Sequence, residues 1–215
     1  AEKIRKTRIT EKDPVRNIDI VKGEKLLQNL KKVQLGNGLF TDEISYRNHE
    51  SDFTIEMETG TGKTYVYLRT ILELYKEYGF KKFMIVVPSI AIRKGVEKSI
   101  KQLIEHFKRL YNVDLSKYSF IYDSNNLGKI NNFVEDNNLS ICVMNIQAFN
   151  KDTNKIRKDD EYDKNLWRDI KFVRPIVLID EPQKIEGTTK KKSQSLKAID
   201  ELEPLFTLRY SATHK

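Results

Sequence analysis

One segment limits what this chain can fold into more than any other: Glu58-Thr-Gly-Thr-Gly-Lys-Thr64. It follows an apolar run over residues 53–57 that predicts a strand, and it leads into a stretch with helical periodicity. Gly60 and Gly62 let the backbone turn tightly and bring successive N–H groups towards phosphate oxygens, and the dipole of the following helix favours an anion there. A strand, a glycine-containing loop and a helix in this order predict a phosphate-binding loop within an α/β domain.

The side chains of this loop suit a nucleotide and its metal ion. Lys63 can reach the β and γ phosphates, and the hydroxyl of Thr64 can coordinate Mg²⁺. The strict phosphate-loop pattern has glycine at the position of Met57, so a structural turn with an incidental lysine stays open as an alternative. The surrounding strand and helix favour nucleotide binding, and we predict that these residues bind the nucleotide: Thr59, Gly60, Thr61, Gly62, Lys63 and Thr64.

A second apolar run ends in two acids, in the sequence Val177-Leu-Ile-Asp-Glu181. Because the carboxyl ends of parallel strands lie at the same edge of a sheet, we expect Asp180 beside Thr64 despite their separation along the chain. Asp180 would then contribute to the Mg²⁺ shell, and Glu181 would polarise the attacking water. An Asp-Glu pair by itself is more often a solvated turn. Together with the phosphate loop it predicts a catalytic set of Lys63, Asp180 and Glu181.

Short apolar runs alternate with amphipathic segments through the middle of the chain, which predicts helices around a mostly parallel sheet. The expected strands are 53–57, 83–87, 119–122, 140–144, 176–179 and 205–210. A helical stripe between the first two strands ends at Gly79, which we expect to cap that helix. The stretch 89–110 predicts one kinked helix or two short ones, because Gly95 interrupts it.

Two regions depart from this rhythm. Residues 1–50 are expected to form an N-terminal extension, in which only 25–33 has the pattern of a helix. The segment 151–171 is rich in charges of both signs, and we expect it to run over the surface. Within it, Trp167 is expected to be a local packing anchor rather than a base-stacking residue.

The amino-acid composition indicates which kind of partner and which cellular compartment suit this protein. Lys and Arg number 39 against 31 Asp and Glu, and the net charge of +8 suits a polyanionic partner or simply a soluble basic surface. The single cysteine, Cys142, excludes an intramolecular disulfide and lies in an apolar run, which indicates a core residue in a reducing intracellular compartment. No apolar run approaches the ~20 residues that cross a bilayer, so we expect no membrane association. The chain opens without an initiator Met, and we expect it to be a piece of a longer protein.

Three motifs occur in the order of motifs I, II and III of superfamily 2 helicases and translocases. They are Met57-Glu-Thr-Gly-Thr-Gly-Lys-Thr64, Asp180-Glu-Pro-Gln183 and Ser211-Ala-Thr213. In the residues of these motifs the sequence resembles the Res subunit of type III restriction endonucleases. Asp-Glu-Pro-Gln is the most specific of these matches. Further stretches that carry this resemblance are Val86-Val-Pro-Ser89, Val143-Met-Asn-Ile-Gln-Ala-Phe149 and Leu208-Arg-Tyr-Ser-Ala-Thr-His214. The resemblance covers residues 53–214, while 1–50 match no motif of the family.

The resemblance implies that residues 51–215 form the first RecA-like motor domain, a P-loop NTPase with helices on both faces of its sheet. It implies ATP and Mg²⁺ as ligands and ATP-driven translocation on double-stranded DNA in the cytoplasm, with the modification (methyltransferase) subunit as a partner. The family's motifs assign DNA-backbone contacts to Ser89, Arg93, Asn145 and Gln147, and they assign the coupling of nucleotide state to domain movement to Ser211 and Thr213. Ordinary helix capping by Ser89 and a plain strand turn at Ser211 stay open as structural alternatives.

The second motor domain, its arginine finger and the nuclease domain of the family have no counterpart in these residues. We therefore expect this chain alone to hydrolyse ATP very slowly. Two other functions stay open: the motor domain of another superfamily 2 DNA or RNA helicase, and a nucleic-acid-binding module whose nucleotide site is vestigial. The departure at Met57 favours the vestigial site, and the intact lysine, threonine and acidic pair argue against it.

Overall fold

One sheet of parallel strands organises the part of the chain that this computed structural model describes, which is residues 15–17, 24–40, 52–58, 60–159, 165–186 and 193–212. The strands are β1 (Asp52–Glu56), β2 (Lys82–Val87), β3 (Ser119–Ile121), β4 (Ser140–Asn145), β5 (Ile176–Asp180) and β6 (Thr207–Ser211). Their order in the sheet is β1-β6-β5-β2-β4-β3, and every neighbouring pair is parallel. The six predicted strands are confirmed, each to within two residues at either end.

The helices after the first one connect successive strands, while α1 precedes β1. They are α1 (Glu24–Gly36), α2 (Lys63–Tyr78), α3 (Ile90–Tyr111), α4 (Leu115–Tyr118), α5 (Gly128–Glu135), α6 (Leu166–Val173), α7 (Gln183–Glu186) and α8 (Gln194–Glu201), with short 3₁₀ turns at Ile146–Ala148 and Lys155–Arg157. None of the helices in the described part of the chain is both long enough and apolar enough to span a membrane.

Helices cover both faces of the sheet, so its central strands are buried on both sides. In β2, Phe83 and Ile85 pack with α2 and α3, while Met84 and Val86 point to the opposite face and pack with α5, α6 and α8. This arrangement explains why β2 is apolar almost without interruption, since a strand that is covered on both faces has no solvent side. The predicted α/β fold with helices on both faces is confirmed. Cys142 is fully buried in this core, as predicted, and burial raises the pKa of its thiol above the usual range.

Glycine acts differently at two positions in the helices. Gly79 ends α2 with a left-handed φ of 73°, as predicted, and its N–H donates to the carbonyls of Leu74 and Tyr75. Gly95, by contrast, does not break the stretch that it interrupts, because α3 is a single helix of 22 residues. A glycine inside a helix costs only about 1 kcal/mol, and the buried stripe of α3, which includes Val96 and Ile100, outweighs that cost.

The prediction that 151–171 runs over the surface is wrong for most of its apolar residues. Ile156 is fully buried, and α6 buries Leu166 and Ile170 against the sheet. The charges in this segment lie between apolar residues at helical spacing, and the packing face was therefore hidden by the overall composition. Trp167 is 9% exposed and lies beneath the guanidinium of Arg157, which is 4.1 Å from its ring centre, so its predicted packing role is confirmed.

Part of the N-terminal region also contacts the sheet and its helices. Asn17 is 3% exposed, and its side chain bonds to the backbone of Lys81, Lys82 and Arg174 at 2.8–3.0 Å. The ammonium of Lys82 is buried nearby and donates to the carbonyls of Phe133 and Asp136 at the end of α5. These contacts tie the start of β2 to segments that are far away in the sequence. The helix that we predicted over 25–33 is present as the longer α1.

Candidate nucleotide and nucleic-acid site

The predicted phosphate loop connects β1 to α2. Gly60 and Gly62 have φ angles of 83° and 88°, in the left-handed region where a side chain would be strained. The hydroxyl of Thr61 donates to the carbonyl of Glu58 at 2.6 Å and closes the turn. Thr59 lies outside the described residues.

Lys63 is the first residue of α2 and lies against the loop that precedes it. Its ammonium is 3.5 Å from the carbonyl oxygens of Met57 and Glu58, at the outer limit of hydrogen bonding. Such long bonds are weak, and the oxygens of an anion can replace them. The arrangement therefore keeps a positive charge beside the open N–H groups of a helix N-terminus.

Thr64 has a buried partner that the sequence did not reveal. The hydroxyl of Tyr67 donates to Oγ1 of Thr64 at 3.3 Å, and its ring packs edge-on against Tyr210 of β6, with ring centres 5.6 Å apart. Tyr210 in turn donates to Oγ1 of Thr70 at 3.1 Å. Burial, and then the nearby charge of Asp180, raise the pKa of Tyr67 far above its usual range. The spacing of three residues between Thr64 and Tyr67 was the available clue, since such residues share a helix face.

Asp180 ends β5 and is 7% exposed. Burial, and then the charge of Glu181, raise its pKa to about 6, while the charge of Lys63 acts in the opposite direction. Its Oδ1 atom is buried and has no hydrogen-bond partner in the described part of the chain. A buried carboxylate oxygen without such a partner, near enough to Lys63 to be affected by its charge, has the chemistry of a cation ligand.

The donor set also fits Mg²⁺ in particular. Among the described residues, no group of three or more His, Cys, Asp or Glu could hold a metal by itself. Mg²⁺ commonly takes one or two protein ligands and completes its octahedral shell with water and substrate phosphates. Asp180 and Thr64 would be those protein ligands, and the ion would neutralise charge on the phosphates.

Glu181 adopts an unusual backbone conformation directly after β5. Its φ is 52°, in the left-handed region that non-glycine residues seldom occupy, and its N–H donates to the carbonyl of Tyr210 at 3.1 Å. The carboxylate forms an ion pair with Lys184 of α7. The strand therefore ends at Asp180, and the two acids leave the sheet with different backbone geometry.

The third motif lies beside the second. Asp180 is in register with Tyr210 on the neighbouring strand, and Ser211 follows at the end of β6. The Ser211 hydroxyl donates to Oε1 of Gln183 at 3.4 Å, and its carbonyl accepts from the N–H of Met57 at 2.9 Å. Ser211 thus contacts both the loop before α2 and the start of α7. Thr213 lies outside the described residues.

Three of the four residues assigned to the DNA backbone form one chain of hydrogen bonds. Nη1 of Arg93 donates to Oδ1 of Asn145 at 3.1 Å, and Nδ2 of Asn145 donates to Oε1 of Gln147 at 3.0 Å. Nε2 of Gln147 then donates to the carbonyl of Pro88 at 3.0 Å. Two segments that are more than fifty residues apart meet here because β2 and β4 are neighbours and Val87 is in register with Asn145.

Ser89 has the structural role that the sequence left open. Its hydroxyl accepts from the N–H of Ile92 at 3.3 Å and caps α3. A contact from Ser89 to DNA stays a prediction, as do those of the other three residues.

All of these groups lie at one edge of the sheet. The phosphate loop follows β1, and Asp180 and Ser211 end β5 and β6. The hydrogen-bonded residues Arg93, Asn145 and Gln147 lie where β2 and β4 end. Since every strand is parallel, their carboxyl ends share this edge, which is where open α/β sheets bind ligands.

Known proteins are similar to this chain in sequence and in fold. Residues 15–215 match the family described as Type III restriction enzyme, res subunit. The EcoP15I Res subunit of Escherichia coli is 31% identical over 205 residues, which are 86% of this chain and 21% of that protein. The EcoPI Res subunit of Escherichia phage P1 is 31% identical over 206 residues, with the same coverage of 86% and 21%. The chain thus spans about a fifth of the length of these curated relatives.

A solved structure supports the fold. The SWI2/SNF2 ATPase core of Sulfolobus solfataricus in complex with double-stranded DNA superimposes with a TM-score of 0.52 at 16% identity, covering 93% of this chain and 33% of that one. The fold is accordingly that of a RecA-like α/β domain. The family match extends the similarity upstream of the motifs to residue 15, close to the buried Asn17. This chain belongs to the family of type III restriction enzyme Res subunits.

Proposed function

We propose that this chain is the first motor domain of a type III restriction enzyme and uses ATP hydrolysis to drive translocation on double-stranded DNA. One observation carries the proposal: a buried carboxylate, Asp180, with an unpartnered oxygen lies close enough to Lys63 for the lysine's charge to act on its pKa. A structural turn with an incidental lysine would have no use for such a group. A site for a triphosphate and its cation would need it.

In this proposal each residue of the site has a distinct task. The backbone of Thr59–Gly62 surrounds the phosphates, and Lys63 neutralises part of their charge. Thr64 and Asp180 hold Mg²⁺. Glu181 orients and polarises the attacking water once the nucleotide is bound, which requires its ion pair with Lys184 to give way.

We propose that the DNA backbone is contacted by the hydrogen-bonded residues at the ends of β2 and β4, which are Arg93, Asn145 and Gln147. Guanidinium, amide and hydroxyl groups suit phosphate oxygens and position a strand without reading its bases. Sequence recognition would then come from a partner, the modification methyltransferase subunit. The relatives are Res subunits of restriction-modification enzymes, and the solved structure with the same fold was obtained with double-stranded DNA. We place this activity in the cytoplasm, whose reducing conditions suit the free cysteine.

ATP hydrolysis in the presence and absence of duplex DNA tests the proposal. We expect slow turnover by this chain alone, because an arginine finger from a facing domain contributes ~10³ to 10⁵ in rate in such enzymes. Adding a second RecA-like domain should raise turnover by orders of magnitude. Glu181→Gln should abolish turnover while ATP still binds, and a Glu181→Gln variant that hydrolyses ATP as fast as the parent would refute the assigned role.

The vestigial-site alternative makes the opposite prediction. It predicts DNA binding without any effect of ATP on the affinity. If DNA binds equally tightly with and without saturating ATP and Mg²⁺, and no hydrolysis is detected with the second domain present, the nucleotide site has no function.

A further inference from the structure

A cavity of about 750 Å³ opens beside the chain of hydrogen bonds formed by Arg93, Asn145 and Gln147. Its other walls come from residues 121–129, which lead from β3 into α5, and from residues 148–155, which follow β4 and Gln147. Cavities of this size bind ligands in many proteins. Neither of these two wall segments carries a residue that the family motifs assign to DNA.

The charges around this cavity are mainly positive. Lys129 and Lys155 lie on opposite walls, and Arg93 lies between the two segments in the chain of hydrogen bonds. Among the described residues, neither lysine forms an ion pair. Asp123 is the one acid among the described residues of the lining, and its single negative charge offsets only one of these three positive charges. The cavity therefore has an excess of unneutralised positive charge.

Neutral donors add to this charge. The hydroxyls of Ser124 and Thr153 line the cavity, and Lys129 lies in the first turn of α5. An anion in the cavity would meet both lysines and these two hydroxyls.

The lysine-bearing loop is fixed to the predicted DNA contacts. Nδ2 of Asn154 donates to the carbonyl of Gln147 at 3.1 Å, and Oδ1 of Asn154 accepts from the N–H of Lys151 at 2.8 Å. These bonds hold the 151–155 turn against the hydrogen-bonded chain. Lys155 is therefore presented by an ordered turn rather than by a free loop.

We propose that this cavity binds phosphate groups of a nucleic-acid backbone and that Lys129 and Lys155 contact them. The proposal rests on the proposed function, since it extends the same DNA-binding edge over the ends of β3 and β4. A single free phosphate would fill only a small part of the cavity and would not need three cationic side chains around it. A strand with successive phosphates uses them all.

The salt dependence of DNA binding tests this directly. For the double variant Lys129→Gln, Lys155→Gln, the slope of log K against log salt for duplex DNA should be about 1.8 units shallower than for the parent, since each lost phosphate contact removes about 0.9. Lys98→Gln is the matched control, because Lys98 is exposed on α3 and lies outside the cavity lining. It should leave the slope unchanged. Lys129→Arg with Lys155→Arg should restore the parent slope.

The outcomes separate this proposal from the proposed function. If the parent shows steep salt dependence and the double glutamine variant keeps the same slope, the cavity does not contact the DNA and this inference is wrong, while the proposed function stands. If the parent does not bind duplex DNA at any salt concentration, both are wrong. Titration with inorganic phosphate distinguishes a free anion: phosphate binding that the double variant loses, with DNA binding unchanged, would overturn the strand contact.

Discussion

The hydroxyl of Ser211 donates a hydrogen bond to the side-chain carbonyl of Gln183 at 3.4 Å, across 28 residues of sequence. The same serine accepts from the N–H of Met57 through its backbone. Ser211 thus lies between the phosphate loop and the helix that follows Asp180 and Glu181. A shift of either segment on nucleotide binding would be transmitted to the other through this residue.

Ser211→Ala is expected to leave ATP binding intact and to reduce the stimulation of ATP hydrolysis by DNA. Loss of a coupling contact should lower this stimulation by about tenfold, which corresponds to ~1.4 kcal/mol of coupling free energy. The measurement is steady-state hydrolysis with and without duplex DNA, in protein that includes a second RecA-like domain. Ser211→Thr keeps the hydroxyl and should retain most of the stimulation. Full stimulation in the alanine variant would show that the contact does not couple the two sites.

Tyr67→Phe is expected to weaken the Mg²⁺ dependence of nucleotide binding. The variant removes the hydrogen bond that orients the Thr64 hydroxyl, so the Mg²⁺ concentration for half-maximal nucleotide binding should rise by about tenfold. Tyr210→Phe is a matched control, because it also removes one buried hydrogen bond from a tyrosine to a threonine of α2, in this case Thr70.

Both phenylalanine variants should lose about 1 kcal/mol of stability. Only Tyr67→Phe should change the Mg²⁺ titration, measured by fluorescence of a nucleotide analogue. Equal Mg²⁺ titrations for the two variants would show that Tyr67 contributes to packing but not to Mg²⁺ binding.

Asp180→Asn is expected to increase stability and to abolish Mg²⁺-dependent nucleotide binding. A buried carboxylate whose Oδ1 has no hydrogen-bond partner costs free energy, so a neutral amide of similar shape should raise the free energy of unfolding by about 1 kcal/mol in the absence of nucleotide. The same variant should lose Mg²⁺-dependent nucleotide binding. Thermal unfolding and nucleotide titration measure the two effects. A less stable variant that still binds nucleotide with Mg²⁺ would contradict the role of Asp180.

Lys82 predicts a pH dependence of stability. Burial lowers the pKa of its ammonium to about 8 from 10.5. Between these two values the unfolded chain keeps the proton and the folded chain releases it, so the free energy of unfolding rises with pH through this window. Lys82→Met should lose that rise, and it should also be less stable by about 1–3 kcal/mol because two buried carbonyls lose their donor. Urea unfolding of both proteins at pH 8 and pH 10 tests this, and parallel pH profiles would contradict it.

The sequence predicts most of the sheet because its strands are buried on both faces and therefore appear as short apolar runs. The phosphate loop is equally visible, since two glycines must adopt left-handed angles next to a fixed lysine and threonine. Local patterns of this kind need no tertiary information.

Other features depend on contacts between distant segments. Asn17 bonds to Lys82 across 65 residues, and Arg93 bonds to Asn145 across 52, so no local pattern could reveal either contact. The apolar face of α6 was obscured because charged residues dominate its surroundings. The cavity between Lys129 and Lys155 exists only because β3 and β4 are neighbours in the sheet.

The central claim is that the loop between β1 and α2 holds ATP·Mg²⁺, and calorimetric titration of ATP in the presence of Mg²⁺ tests it most directly. The parent and the surface control Lys98→Ala should bind ATP with the same affinity. Lys63→Ala should bind at least about tenfold more weakly, since it removes a charge-assisted contact worth ~1.5–3 kcal/mol. Equal affinity in all three proteins would contradict the assignment of Lys63, and with it the nucleotide site.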